Sequence, residues 1–135
     1  MKLSILLAIV GIALASCTKS KDDKPESKTP VITITAQPAA TTTVTAGSIN
    51  GGVLVTASVT ESATLSYQWY SNTSASNIGG TPISGESGTS FAIPTTLTAA
   101  ESPYYYFCEV SATGGAATVR SSAATVTVTI LQNGT

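Results

Sequence analysis

Histidine is absent from the 135 residues, and charged residues make up only 10% of them. Without histidine there is no imidazole for general acid–base work or for a zinc site. Both aspartates, Asp22 and Asp23, lie in the N-terminal fifth of the chain. Beyond Pro30 the only acids are Glu61, Glu86, Glu101 and Glu109, and the only base is Arg120. These four glutamates are each alone in sequence, so no paired carboxylates, calcium loop or Ser–Lys dyad is spelled out there. The serines sit in no G-x-S-x-G turn. The formal net charge of −1 excludes the basic surface that nucleic acid requires. The expectation is a non-enzyme with no cofactor, no metal and no nucleic-acid partner.

The residues that are present favour strands. Threonine occurs 23 times and serine 18 times, and Val, Ile and Thr outnumber Leu, a β-rich balance. Met1-Lys2 followed by the apolar run Leu3 to Leu14 has the length of a signal-peptide core. It is too short for a membrane span, which needs about 20 apolar residues. The run ends in Leu14-Ala15-Ser16-Cys17, which resembles the bacterial lipobox. That resemblance implies removal of residues 1–16 and lipidation of Cys17, hence membrane attachment through acyl chains. Thr18 to Pro30 is rich in Lys, Asp and Glu with no large apolar side chain, so residues 17–30 read as the lipidated cysteine and a flexible charged tether. Lys21-Asp22-Asp23 resembles the surface-export signal of some Gram-negative lipoproteins. It implies an outer-membrane protein facing outward; a solvated linker facing the periplasm is the alternative.

From residue 31 the pattern alternates apolar and polar, the mark of half-buried strands. Val31 to Thr35 is the first. Val53, Val55, Ala57 and Val59 share a face of the second, and Leu65, Tyr67 and Trp69 a face of the third. Phe91 and Ile93 mark a short strand stopped by Pro94. Tyr104, Tyr106, Cys108 and Val110 share a face of the next, and Ala124, Val126, Val128 and Ile130 a face of the last. Gly-rich stretches separate them, and Thr96 to Ser102 reads as one short turn with Leu97 inward. About seven strands over residues 31–131, with a C-terminal tail at 132–135, predict an all-β antiparallel β-sandwich.

Tyr67-Gln68-Trp69-Tyr70 and Tyr104-Tyr105-Tyr106-Phe107-Cys108 together resemble the third and sixth strands of an immunoglobulin-like domain, most closely the Thr- and Ser-rich bacterial Ig-like modules of surface proteins. The resemblance implies an immunoglobulin-like fold over residues 31–131. It implies a core of Trp69, Tyr106 and Cys108, with Tyr106 as the tyrosine-corner residue. The second-strand cysteine is missing, with Val55 or Ala57 in its place, so Cys108 reads as a buried thiol without a partner. The resemblance sets the third and sixth strands side by side. Tyr70, Tyr105 and Phe107 would then form an outward aromatic patch, with Gln68 and Glu109 beside it. Such a patch is a candidate binding face; cross-strand bracing of the sheet, or cover by the connection from Asn72 to Ser90, is the other reading. The Ser/Gly/Asn composition of that connection suits a binding loop or a plain flexible link. The whole implies a non-catalytic surface lipoprotein in adhesion or partner binding, with a protein or neutral glycan as partner. A structural spacer, an accessory subunit of an outer-membrane assembly and a carbohydrate-binding accessory lipoprotein are the alternatives.

Overall fold

A computed structural model describes residues 26–134. The signal-like segment, Cys17 and most of the tether lie outside the described residues. Within them the chain forms ten strands and no helix: β1 (Ile32–Ala36), β2 (Thr41–Thr45), β3 (Gly52–Leu54), β4 (Thr56–Val59), β5 (Leu65–Asn72), β6 (Thr81–Pro82), β7 (Ser90–Ala92), β8 (Tyr104–Ala112), β9 (Val119–Arg120) and β10 (Ala124–Thr129).

Two layers result. One holds β1 on β4 and β3 on β7. Only Val55 separates β3 from β4, and its N–H bonds to the carbonyl of Thr89, 2.9 Å away, so this layer is continuous. The other has the order β2-β10-β8-β5-β6, with β9 added to β8. The layers face each other across a core of Val53, Val55, Trp69, Phe91, Ile93, Tyr106, Cys108, Val110, Val126 and their neighbours. The longer strands supply their alternate residues to it, as the period of two dictates, whereas both residues of β6 are exposed.

Three strands are absent from the alternation pattern. Thr41–Thr45 carries one large apolar residue, Val44, yet it pairs in parallel with β10, Thr43 opposite Thr127. That sheet is therefore mixed, while the β1–β4 and β3–β7 pairs of the other layer are antiparallel. The chain reaches β2 by crossing between layers at Gln37-Pro38, where Pro38 is buried and the Gln37 carboxamide oxygen accepts from the N–H of Ser122 at 2.8 Å. β6 and β9 are two-residue strands, fixed by their partners rather than by their own sequence. Ile130 departs from its expected place. It lies past the end of β10 and is 62% exposed, so the inward face of that strand is Ala124, Val126 and Val128.

The corner hydroxyl also falls elsewhere than expected. Tyr106 turns into the core, its ring 4.8 Å from that of Phe91. Tyr104 closes the corner instead. Its hydroxyl accepts from the N–H of Thr98 at 3.0 Å and lies 3.1 Å from the Thr98 carbonyl and 3.3 Å from a Glu101 carboxylate oxygen. A residue whose ring must fill the space between two layers cannot also reach a surface loop.

Candidate binding face

β5 and β8 are the longest strands and pair over eight positions, from Leu65↔Ala112 to Asn72↔Tyr105. This register sets Trp69 opposite Cys108 on the inward face and Tyr70 opposite Phe107 on the outward face. The Tyr70 and Phe107 rings are nearly parallel, 5° apart in plane with centroids 5.0 Å apart. Strand pairing thus brings together two of the three expected outward aromatics.

Phe107 is not exposed. It is completely buried, yet it stands apart from the core between the layers. Its cover is the chain from Asn72 to Gly80, folded back over the outward face. Gly80, at φ +83°, lies so close that a Cβ there would stand 2.9 Å from Phe107 Cε1 and 2.9 Å from the Ser71 carbonyl oxygen. Arg120 completes the cover, its guanidinium carbon 5.4 Å from the Phe107 centroid and 5.7 Å from that of Tyr70. The open patch of Tyr70, Tyr105 and Phe107 is therefore corrected: only Tyr70 and Tyr105 keep part of their surface.

The polar groups at this face are mostly spoken for. Arg120 Nε donates to Glu109 Oε2 at 2.8 Å and Nη1 to the Asn77 carbonyl at 3.0 Å, while Asn77 Nδ2 donates to the Ser121 carbonyl at 2.8 Å. Asn72 Nδ2 donates to the carbonyls of Ser76 and Ile78, at 2.8 and 3.1 Å, and holds the bend itself. Gln68 is likewise corrected as a ligand-facing group. Its amide donates to the carbonyls of Ile83 and Trp69 at 2.8 and 2.9 Å. With Trp69 N–H to Glu86 at 3.0 Å and the indole N–H to Gly88 at 2.9 Å, it straps the stretch from Ile83 to Gly88 onto β5. The connection from Asn72 to Ser90 is a braced cover, and composition alone could not show this because much of its bracing comes from outside it, from residues 68, 69 and 120.

Below this face lies the thiol. Cys108 is fully buried and unpaired among the described residues. Burial pushes it up to about 11; a backbone hydrogen bond from Gln68 pulls the other way and the Glu109 carboxylate adds to the rise. Opposite the Cys108 main chain sits Ser121, the one fully buried polar residue described. Its hydroxyl accepts from the Cys108 N–H at 2.9 Å and donates to the Ser122 carbonyl at 3.0 Å, and its own N–H bonds to the Cys108 carbonyl at 2.8 Å. It fills the gap in the ladder where β8 passes from β9 to β10.

Arg120, Asn77 and Ser121 organise this face, and sequence reasoning gave none of them a role. One signal was available: Arg120 is the only cation after Lys28. Among the described residues no group of three or more His, Cys, Asp or Glu side chains is placed to hold a metal ion. What remains open is part of Tyr105, which pairs with Asn72 across the strands, a hollow lined by Ser71, Asn72, Thr73, Gly80 and Thr81, and Ile78, 80% exposed on the loop. Comparison with protein-family models gives no match, and neither does comparison with curated proteins.

Proposed function

We propose that the chain is a lipid-anchored outer-membrane lipoprotein whose single Ig-like domain binds a partner at the cell surface without catalysis. The observation that carries the anchor is the run Leu14-Ala15-Ser16-Cys17 directly after an apolar stretch, with a charged tether leading to β1. The binding end is the hollow at the end of β5. The hollow is lined by Ser71, Asn72, Thr73, Gly80 and Thr81, and Tyr105, half-buried on the neighbouring strand β8, pairs with Asn72. A flat aromatic next to neutral hydrogen-bonding groups suits a neutral glycan or an uncharged protein loop.

The closed stack of Tyr70 and Phe107 under Arg120 favours a second reading, a spacer or accessory subunit whose aromatics only brace the sheet. Broad-specificity protease applied to intact cells, with lysed cells as control, tests the location. Cleavage on intact cells supports surface display; cleavage only after lysis rejects it. A glycan and host-protein binding screen with Tyr105→Ala then separates the two roles. Binding lost at unchanged melting temperature supports recognition, whereas stability lost with no binding to lose supports the spacer.

A further inference from the structure

The edge at β2 carries an inference independent of the lipid anchor. β2 is the outermost strand of its sheet and pairs only with β10. The Thr125 N–H bonds to the Ala40 carbonyl, and the Ala46 N–H to the Thr129 carbonyl. In a parallel ladder, residues alternate between facing the partner and facing away. Ala40, Thr42, Val44 and Ala46 therefore spend their main-chain groups on β10. The N–H and C=O of Thr41 and Thr43, and the N–H of Thr45, point to the open side. Thr41 and Thr43 are exposed.

Natural sheet edges are blunted by charge, proline, a bulge or a covering loop. β2 has no charged residue and no proline, and its register with β10 runs unbroken from Thr41 to Thr45. Water solvates such a row in the free chain, and another extended strand can replace that water along its whole length. The spacing makes the row complementary to itself. Two copies of β2 laid antiparallel about a two-fold axis at Thr43 set Thr41 against Thr45 of the other copy, and Thr43 against Thr43. The Thr43 pair then exchanges both main-chain bonds, and each Thr41–Thr45 pair makes one, from the Thr45 N–H to the Thr41 carbonyl, because the Thr45 carbonyl already accepts from the Ser48 N–H at 3.0 Å. Threonine faces threonine on the outer side, a favourable cross-strand pair. β10 is equally free of charge, so identical copies bring no like charges together. We infer that β2 joins two copies of this chain into a symmetric dimer through a continuous sheet.

Thr43→Cys in the full chain, expressed in cells and oxidised mildly, tests this. Opposed residues in such a pair have Cα atoms about 5.5 Å apart, within the disulfide range of about 4.4–6.8 Å. A covalent species of twice the chain mass is expected for Thr43→Cys. It is not expected for Thr33→Cys, an exposed site on the other sheet, nor for the parent chain. Equal dimer from Thr33→Cys, no dimer from Thr43→Cys, or a crosslink to a different protein overturns the inference. Light scattering on the detergent-purified full chain gives the second readout. Thr43→Lys sets two like charges face to face while leaving the bonds to β10 intact. Loss of the dimer at an unchanged melting temperature supports the pairing. A chain that is monomeric at every concentration, or a dimer that survives Thr43→Lys, overturns it.

Discussion

The guanidinium of Arg120 stands 5.4 Å above the ring of Phe107, and that ring is wholly buried although it lies on the outward side of its sheet. A single cation thus closes a second, smaller apolar site outside the main core. Its charge is met by Glu109 Oε2 at 2.8 Å, and its second arm reaches the Asn77 carbonyl. Three weak interactions converge on one side chain, and they hold the loop from Asn72 to Gly80 down together with the Asn77 amide bond to the Ser121 carbonyl.

Removing the charge while keeping the stem separates these terms. A partly exposed cation–π contact contributes about 0.5–1 kcal/mol, and an ion pair open to solvent about 0.2–1 kcal/mol. Arg120→Met is expected to lower stability by roughly 1 kcal/mol by urea titration, with faster proteolysis within residues 73–80. Phe107→Ala is expected to cost about 3–5 kcal/mol, the range for a buried aromatic. If Phe107→Ala proves as mild as a surface change, about 0.5 kcal/mol or less, the ring is not covered in solution.

Gly80 supplies an independent check on the same cover. Its φ of +83° suits glycine, and a Cβ would press on Phe107 Cε1 and the Ser71 carbonyl. A non-glycine residue held in a left-handed conformation costs of order 1–3 kcal/mol before any clash. Gly80→Ala is expected to lose at least that much. Gly85→Ala, also at positive φ but with open space around it, is expected to lose only the conformational part. Equal losses at the two sites, read from melting curves, would remove Gly80 from the account of how Phe107 is covered.

Ser121 carries a polar prediction. Ser121→Ala leaves the buried Cys108 N–H without its acceptor at 2.9 Å. An orphaned buried donor costs about 1–3 kcal/mol. Chemical denaturation should show that loss, and amide exchange at Cys108 should quicken in the native state. Ser122→Ala, an exposed neighbour, should do neither.

The alternation of Leu65, Tyr67 and Trp69, and of Tyr106, Cys108 and Val110, made the two central strands and their inward faces legible, because a buried face demands apolar residues at every second position. β2 was not legible because Thr41–Thr45 lies at an edge, where burial asks for little more than Val44. Exposure at the outer face was misread for a related reason. Alternation tells which side of a sheet a residue takes, not whether something else lies on that side. The cover over Phe107 comes from residues 72–80 and 120, distant in sequence and polar in composition. Alternation puts Tyr104 and Tyr106 on one face but does not say which hydroxyl reaches the loop: the Tyr106 ring packs on Phe91, and the Tyr104 hydroxyl meets Thr98.

The thiol of Cys108 links this packing to pH. Burial raises it from 9.0 to about 11 in the folded chain, and burial also raises Tyr106, with Tyr104 adding to the effect. Between pH 9 and 11 the unfolded chain releases the thiol proton while the folded chain keeps it. The unfolded state then binds fewer protons, so stability falls as pH rises. Below about pH 8.5 both states hold the proton and this contribution is complete. Urea midpoints should therefore stay level to about pH 8.5 and fall through pH 11. Cys108→Val should flatten the first part of that fall and leave the part due to Tyr106. The same burial predicts that a thiol reagent at pH 8 labels Cys108 only after denaturant is added, since the thiolate is the reacting species. Labelling of Cys108 in the native protein at that pH, identified by mass spectrometry, would show that the space between Trp69 and Ser121 opens far more readily than the packing described here allows.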